Sequence, residues 1–439
     1  MSGFLLLITG LGKKFGAMIW LMEKSRRSTG IKLAATITNA FLLIYFTFQL
    51  LNQPFVHGNE VPLIQGVTYF KNIVLNLEDK PHHKDLMFID VAYDKQMIEK
   101  LDTNGFPIGK QAITDRKKLA KFFKVLNRKP SNQKFVICDI FFADPATVDE
   151  CAGDTASADV ALRAELAKMK NIVLSYHFKE DKDSLDLPIF RAPPRGIADY
   201  ATTNNTFLKF NLLYRDSIKS SPLVMYETLH KQSLKKGKWF YWLSGKRILK
   251  SFIVDFKVRN YDLFVSKNRY KVDNLDALLT LDDEDILAHV KDRIIVVGDF
   301  QSDKHETIYG ETVGPLILLN TYLGLLNGDN VVTPMFLIFL FGCFFCLSMM
   351  IFYPANYLER WLKNTFENTQ FKSAITLLSY MSLLIVTSAL SFFLFNIHLS
   401  ILLLTIYLYV LKNIVRFIYR RLGWIEKNGS ENEQKATLA

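Results

Sequence analysis

The sequence predicts a membrane protein in two parts: an α/β domain with a mainly parallel, helix-covered sheet, and four transmembrane helices, one before that domain and three after it. Two observations predict this class. Charged side chains are absent from 33–51, 335–353 and 374–411, whereas the rest of the 439-residue chain is ordinarily polar. In the polar segment between the first two stretches, short apolar runs alternate with amphipathic helical patterns, as in a sheet with helices on both faces. A purely soluble enzyme is therefore excluded.

The basic balance of the chain follows from this topology. The sequence holds 54 Lys and Arg against 43 Asp and Glu, a net charge of +11. Residues 1–32, 354–373 and 412–439, which flank the apolar stretches, hold 15 of the basic residues and 6 of the acidic ones, so 52–334 is close to neutral. Basic flanks of this kind orient membrane helices. The net charge therefore implies no nucleic-acid partner.

The apolar stretches predict four membrane crossings. A helix rises about 1.5 Å per residue and needs about 20 apolar residues to cross the hydrocarbon core. The stretches 33–51 and 335–353 fit one crossing each, whereas 374–411, about 57 Å long as one helix, fits two crossings joined by a turn at 395–398. The predicted order is a basic amphipathic segment 1–32, a transmembrane helix 33–51, an exported domain 52–334, a transmembrane helix 335–353, a cytoplasmic loop 354–373, transmembrane helices 374–395 and 397–415, and a cytoplasmic tail 416–439.

Lysine and arginine positions predict the orientation. Basic residues precede the first crossing and follow the last one, namely Lys13, Lys14, Lys24, Arg26, Arg27 and Lys32, then Lys412, Arg416, Arg420 and Arg421. The positive-inside rule places both groups in the cytoplasm. We therefore expect a multi-pass protein of the inner (cytoplasmic) membrane, in contact with membrane lipid, with 52–334 on the extracytoplasmic side. Residues 4–22 fit an interfacial amphipathic segment, with a buried or re-entrant helix as the alternative.

The exported segment has the pattern of an α/β domain. Apolar runs predict strands at 86–93, 134–142, 171–178, 251–258 and 293–300. Amphipathic patterns predict helices at 116–126, 160–169 and 315–326. The first helix has Thr114 as its expected N-cap, and the last has Pro315 in its first turn and Gly328 after its end. Alternation of strands and helices predicts a largely parallel sheet with right-handed crossovers.

Acidic residues follow three of the predicted strands. They are Asp90 and Asp94 after the first, Asp139 and Asp144 after the second, and Asp299 and Asp303 after the last, with His305 nearby. In sheets of this kind ligands bind beyond the carboxyl ends of the strands, so these are candidate ligand-binding residues for a cation or for a hydroxylated or amine ligand. Two other interpretations stay open: aspartates that only cap helices or close turns, and catalysis.

The motifs of the exported segment resemble a type 2 CHASE domain, the extracellular sensing domain found joined to adenylate cyclases and histidine kinases. The resemblance covers about 60–334 and rests on motifs in this order: FIDVAYD at 88–94, GFP at 105–107 with Arg116 at the head of a helix, FVICDIFFADP at 135–145, ADVALRAELA followed by NIVLSYHF, RIIVVGDF at 293–300, DKHET at 303–307 and GPLILLNTYLGLLNG at 314–328. It extends to the architecture, because such domains are commonly preceded by one span and followed by three.

The resemblance implies a sensor without naming its stimulus. It assigns structural or ligand-site importance to Asp90, Pro107, Arg116, Asp139, Gly298, Asp303 and Gly314, and so adds Arg116 to the candidate ligand-binding residues. A receptor of this family usually continues after its last span into a cyclase, kinase or phosphatase, whereas 412–439 is too short to hold one. We therefore expect an output through a separate cytoplasmic effector.

Other chemistry has little support in the sequence. The motifs HExxH, GxxxxGK[ST] and GxSxG are absent, and we predict no catalytic residue, no metal and no cofactor. Cys138 and Cys151 both lie in the exported segment, where a disulfide between them and a packed Cys138 thiol are both open. The stretch 235–247 interleaves basic and aromatic residues; it fits the outer membrane surface or ordinary packing, because an exported domain does not meet single-stranded nucleic acid.

Three functions are compatible with these observations. The preferred one is a sensor, not an enzyme, whose exported domain binds a ligand or a protein and whose spans relay the signal to a cytoplasmic effector in trans. The second is a non-signalling scaffold subunit of a membrane or envelope complex. The third is an exported hydrolase that uses the strand-end acids.

Overall fold

A computed structural model describes residues 28–54, 60–77, 79–101, 104, 106–145, 155–179, 184–203, 206–237, 240–265, 270–353 and 369–421. Predictions for 4–22, for Cys151, for the loop 354–368 and for the tail 422–439 lie outside these residues. The chain divides into two compact units. One holds the chain up to Leu51, Thr333–Ser391 and Leu399–Ala439; the other holds Asn52–Val332 and Phe392–His398.

The helices, numbered in chain order, are α1 Ser28–Leu51, α2 Val61–Tyr69, α3 Arg116–Leu126, α4 Thr155–Leu166, α5 Ser221–His230, α6 Asn260–Phe264, α7 Leu275–Leu278, α8 Asp283–Val290, α9 Gly314–Asn327, α10 Pro334–Phe352, α11 Thr369–Phe395 and α12 Ile401–Arg421. A π-helical turn, Phe70–Val74, continues α2, and a 3₁₀ turn, His83–Asp85, precedes the first strand.

The strands are β1 Leu86–Asp90, β2 Lys95–Leu101, β3 Pro107–Thr114, β4 Phe135–Asp139, β5 Ile172–Phe178, β6 Leu185–Asp186, β7 Arg195–Ile197, β8 Ala201–Thr203, β9 Thr206–Asn211, β10 Leu213–Tyr214, β11 Ile218–Lys219, β12 Lys235–Lys236, β13 Tyr241–Leu243, β14 Lys246–Ile248, β15 Ser251–Ile253, β16 Val272–Asn274, β17 Ile294–Gly298, β18 Lys304–Thr307 and β19 Gly310–Val313.

Among the residues that the structure describes, four helices are long and apolar enough to cross a membrane, one before the α/β domain and three after it, which confirms that part of the predicted class. The crossing segments are Thr29–Leu51, Pro334–Phe352, Leu378–Phe395 and Ile401–Tyr419. Polar side chains link three of these helices: Asn39 Nδ2 donates to Ser348 Oγ at 2.8 Å, and the Tyr407 hydroxyl donates to Asn39 Oδ1 at 2.7 Å. Such bonds between helices are favoured where no water competes for the polar groups.

In the described residues, the main sheet of the other unit has seven strands, and its path β16-β1-β17-β4-β5 is parallel throughout. β7 is also parallel to β5, and only β6 is antiparallel. Both faces are covered, because alternate residues of one strand enter different cores: Met87 and Ile89 pack with α3 residues on one face, and Leu86 and Phe88 pack with α9 residues on the other. A mixed α/β unit with a mainly parallel sheet is therefore confirmed.

The order of the strands aligns three carboxyl ends. β17, the last long strand in the sequence, lies between β1 and β4, and the register pairs Gly298 with Asp90 on one side and with Asp139 on the other. Asp90, Gly298 and Asp139 therefore form a row at one edge of the sheet.

The run at 251–258 does not join this sheet. Only β15 forms there, and it pairs antiparallel with β9 in a second, five-stranded sheet that also contains β8, β18 and β19. The burial of Phe252 and Val254 in separate apolar clusters accounts for the hydrophobic run. A strand was predicted for 251–258 and forms over Ser251–Ile253. Its place in a second sheet was not predictable, because hydrophobic runs report burial and not the pairing partner.

The three predicted helices form, with shifted ends for two of them. α3 has the predicted bounds, but its N-cap is Asp115, whose Oδ1 accepts from the N–H groups of Lys117 and Lys118 at 2.9 and 3.1 Å. Thr114 cannot cap the helix because it is still the last residue of β3. α9 ends at Asn327, and Gly328 follows its end as predicted, with a φ of 78° that suits a residue without a side chain.

Candidate functional site

A cavity of about 590 Å³ lies at the carboxyl edge of the main sheet. Its lining combines residues at the ends of β4, β5 and β17 with the loop after β7, the start of β18 and the first turn of α9. The titratable side chains among the lining residues are Lys95, Arg116, Asp139, His177, Asp199, Tyr200, Asp299, Asp303 and His305. A cavity of this size at this edge of an α/β sheet is where a small ligand binds.

Asp139 and Asp303 converge because two neighbouring glycines leave room for them. A side chain on Gly314 would overlap the Asp303 carboxylate and lie 3.3 Å from Asp139 Oδ2. A side chain on Gly298 would overlap the Pro315 ring and lie 3.4 Å from Asp139 Cβ. The two glycines therefore allow β17 and α9 to pack tightly behind a pair of carboxylates.

The Asp139 carboxyl holds its proton unusually well. Burial and the neighbouring Asp303 raise the pKa of Asp139 to about 6, against the hydrogen bond from Ser175 and the positive charges of His177 and His305. Burial and a neighbouring negative charge both favour the protonated form of a carboxyl group. At neutral pH the charge of Asp139 thus depends on what else occupies the cavity.

Two histidines face these acids, each bonded to its own aspartate. His177 Nδ1 lies 2.8 Å from Asp199 Oδ1, and His305 Nε2 lies 2.8 Å from Asp303 Oδ1. Burial alone would lower the pKa of His177, but the Asp199 hydrogen bond and the charges of Asp139 and Asp303 outweigh it and raise that pKa. His177 therefore carries a larger share of positive charge near neutral pH than a free histidine does.

Asp299 and Lys95 form another part of the lining, where Lys95 Nζ lies 3.2 Å from Asp299 Oδ2. Asp299 Oδ1 also accepts from the N–H groups of Gln301 and Ser302. Burial would raise the pKa of Asp299, but these two bonds and Lys95 outweigh it and lower that pKa. Asp299 and Asp139, which line one cavity, are thus shifted in opposite directions.

Arg116 lines the cavity, and its guanidinium lies against two aromatic rings. Its guanidinium carbon lies 4.6 and 5.4 Å from the ring centres of Phe142 and Phe190. Nη2 donates to the Asp144 carbonyl at 3.0 Å, and Nη1 lies 3.6 Å from the Asp159 carboxylate. Burial lowers the pKa of Arg116 against the charges of Asp159 and Asp144. Arg116 is a fixed positive charge at the wall of the site.

Three of the eight sequence-predicted site residues do not line the cavity. Asp90 accepts from the N–H groups of Ala92 and Phe300 and from the Gln301 side chain. Asp94 accepts from Lys118 Nζ at 2.6 Å, and Asp144 Oδ2 accepts from Gln111 at 2.8 Å. These three aspartates close turns and join segments, the alternative that strand-end positions had left open.

Sequence reasoning placed five residues that line the cavity, namely Arg116, Asp139, Asp299, Asp303 and His305, and missed His177, Asp199, Tyr200 and Lys95. His177 had a usable signal, since it is the next-to-last residue of the predicted strand NIVLSYHF. Asp199 and Tyr200 follow the short strand β7, which has no hydrophobic run to reveal it. Tyr200 packs edge-on against His305, with ring centres 5.0 Å apart, and burial beside Asp303 raises its pKa.

The chemistry of the lining suits a polar organic ligand. Among the described residues, no group of three or more His, Cys, Asp or Glu is arranged to hold a metal ion. Carboxylates, imidazoles, a lysine and a phenol offer both donors and acceptors, and a ligand with an amine or hydroxyl group could exchange hydrogen bonds with them.

Comparison with protein-family models, with curated proteins and with solved structures finds no match for this chain. The described residues contain four helices that could span a membrane and an α/β unit that carries a polar cavity at the carboxyl edge of its sheet.

Proposed function

We propose that the protein is a membrane-anchored extracytoplasmic sensor of the type 2 CHASE class, set in the inner membrane with 52–334 outside the cytoplasm. In this proposal the carboxyl-edge cavity binds a small polar ligand, and the spans pass its presence to a separate cytoplasmic partner. The carboxyl-edge cavity is the observation that supports ligand binding in this proposal. The cytoplasmic output rests on the family resemblance.

The electrostatics of the cavity favour a binding role. Asp139 and Asp303 are held together beside two histidines, so a ligand that donates hydrogen bonds or carries positive charge favours the ionised carboxylate pair. Binding and proton release are thereby linked. A sensor needs such a difference between its occupied and empty states, because a ligand shifts a conformational equilibrium only by its unequal affinity for the two states.

The connectivity offers a route from the cavity to a membrane span. Gly314, Ile317 and Leu318 of α9 line the cavity. α9 ends at Asn327, and the short segment 328–333 leads directly to α10, the second candidate span. A ligand that changes the position of Asp303 against Gly314 would therefore act on a helix that continues toward the membrane.

The test uses the full chain in lipid nanodiscs. Its thermal unfolding is followed while small amines, amino acids, polyols and carboxylic acids are added singly. Asp139→Asn and His177→Gln are the site variants, and Asp283→Asn, which does not line the cavity, is the control. A compound that stabilises the wild type and the control by several degrees, and neither site variant, supports the proposal. If every stabilising compound acts equally on all four proteins, the cavity is not the binding site.

A scaffold role is the second candidate, and one observation favours it. β2 and β3 form a separate antiparallel hairpin with large apolar side chains in water, among them Met97 at 61% and Phe106 at 67% exposed. Apolar residues grouped in this way mark protein-binding surfaces. A photo-crosslinking residue at 97 that captures one defined exported protein in cells, together with an unresponsive cavity, would favour the scaffold.

A further inference from the structure

A second cavity, of about 380 Å³, lies near the π-helical turn after α2, the segment after β15, the end of α9 and the turn after α11. Its charged lining residues are Lys71, Asp79, Asp255, Lys257 and Asp329, and Leu77 and Asn396 also line it. All of them belong to the unit formed by Asn52–Val332 and Phe392–His398. This second cavity is distinct from the carboxyl-edge cavity, and the proposed function does not involve it.

Asp329 is the residue that points to a ligand. Its side chain is 6% exposed. Asp329 Oδ1 accepts from Asn396 Nδ2 at 2.9 Å, whereas the buried Oδ2 has no hydrogen-bond partner in the part of the chain that the structure describes. Burial, with a smaller contribution from Asp255, raises the pKa of Asp329 to about 6 against the charges of Lys257 and Lys71. A buried carboxylate oxygen without a donor is costly, and a cationic N–H group would satisfy it.

Two lysines bring positive charge to the same cavity. Lys257 is buried, and Lys71 Nζ donates to Asn396 Oδ1 at 2.5 Å. Ammonium groups form charge-assisted hydrogen bonds with phosphate oxygens. A carboxylate with one oxygen that has no donor, close to two ammonium groups, is complementary to a ligand that carries an amine and a phosphate together.

The position of Asn396 in the chain places the cavity at a membrane surface. Asn396 follows the candidate span Leu378–Phe395 directly, and the next candidate span begins at Ile401. A turn this short between two crossings lies at the level of the lipid headgroups. In this turn the side chain of Asn396 accepts a hydrogen bond from Lys71. Phe393, in the last turn of α11, packs on Phe70 with ring centres 6.2 Å apart.

The segment beside the cavity is itself suited to lipid. From the end of α2 onward its apolar side chains are exposed one after another, namely Tyr69, Phe70, Ile73, Val74, Leu75 and Leu77, with Tyr69 at 59% and Ile73 at 56%. Such a row is costly in water but stable among headgroups and upper acyl chains, where aromatic residues are also enriched.

We propose that this second cavity binds the phosphoethanolamine headgroup of a membrane phospholipid. Asp329 receives the primary ammonium group, Lys71 and Lys257 hold the phosphate, and Leu77 and the apolar row lie against the acyl chains. The headgroup amine must carry hydrogens, because Asp329 Oδ2 lacks a donor. The cavity should therefore discriminate against the trimethylated amine of phosphatidylcholine.

The test is lipid retention by the full chain, purified in mild detergent and measured by native mass spectrometry. Phosphatidylethanolamine, phosphatidylcholine and phosphatidylglycerol with the same acyl chains are added at equal concentration. We expect the wild type to retain phosphatidylethanolamine about tenfold better than the other two lipids, the effect of one hydrogen-bonded charge pair. Asp329→Asn should abolish most of that preference. Lys257→Met should weaken the retention of all three lipids, because each of them carries a phosphate, and Asp283→Asn, on the surface helix α8, should change neither the preference nor the retention.

Two results would overturn the proposal. One is equal retention of phosphatidylethanolamine and phosphatidylcholine by the wild type. The other is an Asp329→Asn variant that is folded, as judged by its unfolding temperature, and keeps the full preference. A soluble arm separates the sources of the ligand: if glycerophosphoethanolamine raises the unfolding temperature as much as the lipid does, the ligand is a soluble phosphoamine and the membrane assignment is wrong.

Discussion

Two aspartates occupy equivalent positions in the main sheet and have different surroundings. Asp90 ends β1 and Asp139 ends β4, and both are in register with Gly298 of the strand between them. Asp90 is buried and accepts three hydrogen bonds, two of them from backbone N–H groups. Asp139 faces the carboxyl-edge cavity with Asp303 beside it, and its pKa is raised to about 6 by burial and that neighbour.

The loop after β17 produces the difference. Phe300 and Gln301 fold over the end of β1 and bond Asp90. On the other side Asp303 and Gly314 hold the next part of the chain against Asp139 without giving it a backbone donor. A strand-end carboxylate thus stabilises the fold where a loop donates to it and remains available to a ligand where the loop brings another acid.

Removal of the Asp90 carboxylate should have the largest effect. Asp90→Ala leaves the buried Phe300 N–H without an acceptor and removes two further bonds, so we expect a loss of about 4 kcal/mol of unfolding free energy. Asp90→Asn, which keeps one acceptor oxygen, should lose about half as much. Pulse proteolysis of the detergent-solubilised chain across a urea series measures both variants. A loss below about 1 kcal/mol for Asp90→Ala would contradict the structural role of Asp90.

The glycine behind the carboxylate pair should have the next largest effect. Gly314→Ala places a methyl group where the Asp303 carboxylate lies, and such overpacking costs about 2 to 3 kcal/mol. Gly66 is the matched control, because a side chain there meets nothing within 4 Å. Gly66→Ala in α2 should be neutral or stabilise by up to about 1 kcal/mol. Equal unfolding midpoints for Gly314→Ala and Gly66→Ala would show that Gly314 is not needed for close packing.

Much of the fold is predictable from sequence, for a physical reason. β1, β4 and β17 are short runs of residues buried on both faces, and α3 has one apolar stripe, so hydrophobic periodicity identifies them. The same periodicity does not indicate which strands lie next to each other in a sheet. It could not show that β17 lies between β1 and β4, nor that β15 pairs with β9 in a second sheet.

The candidate site is predictable to a smaller extent. Residue type and strand-end position select Asp90 and Asp139 equally, and only the path of the loop after β17 separates them. His177 lies at the end of a predicted strand, yet Asp199, which orients it, follows a strand of three residues without a hydrophobic run. Contacts between segments distant in sequence decide which polar groups meet, and local patterns do not record them.

The charge of Asp139 should appear as a pH dependence of stability. Because the folded pKa of about 6 exceeds the unfolded value of about 3.9, the folded state binds the proton more tightly, and stability falls as pH rises from about 4 to 6. Asp139→Asn should remove this loss and be more stable than the wild type by about 3 kcal/mol at pH 7.5, with little difference at pH 4.

Asp299→Asn is the control within the same cavity, and its expected change in stability at neutral pH has the opposite sign. The pKa of Asp299 is lowered, so its carboxylate stabilises the folded state above the unfolded pKa and that stabilisation is lost as pH falls. Asp299→Asn should therefore be less stable than the wild type at pH 7.5 and approach it in acid. Parallel pH profiles for the two variants would contradict the assigned electrostatics.

The smallest expected effect concerns His177. It tests most directly the charges around Asp139 in the carboxyl-edge cavity. Asp199 keeps this imidazole charged against burial, so Asp199→Asn should lower the pKa of His177. Diethylpyrocarbonate reacts with neutral imidazole, and the pH midpoint of His177 modification, read by peptide mass spectrometry, should move to lower pH in the variant. His289 lies exposed on α8 and is an internal reference whose modification profile should be the same in both proteins.

The stability of the Asp199→Asn variant gives a second measurement. A raised histidine pKa stabilises the folded state below the unfolded pKa, and that stabilisation is lost as pH rises through the folded pKa. Asp199→Asn should therefore also lose stability mainly in mildly acidic solution. An unchanged His177 midpoint would mean that Asp139 and Asp303, and not Asp199, hold its proton, and the carboxylate pair would then be the dominant charge of the cavity.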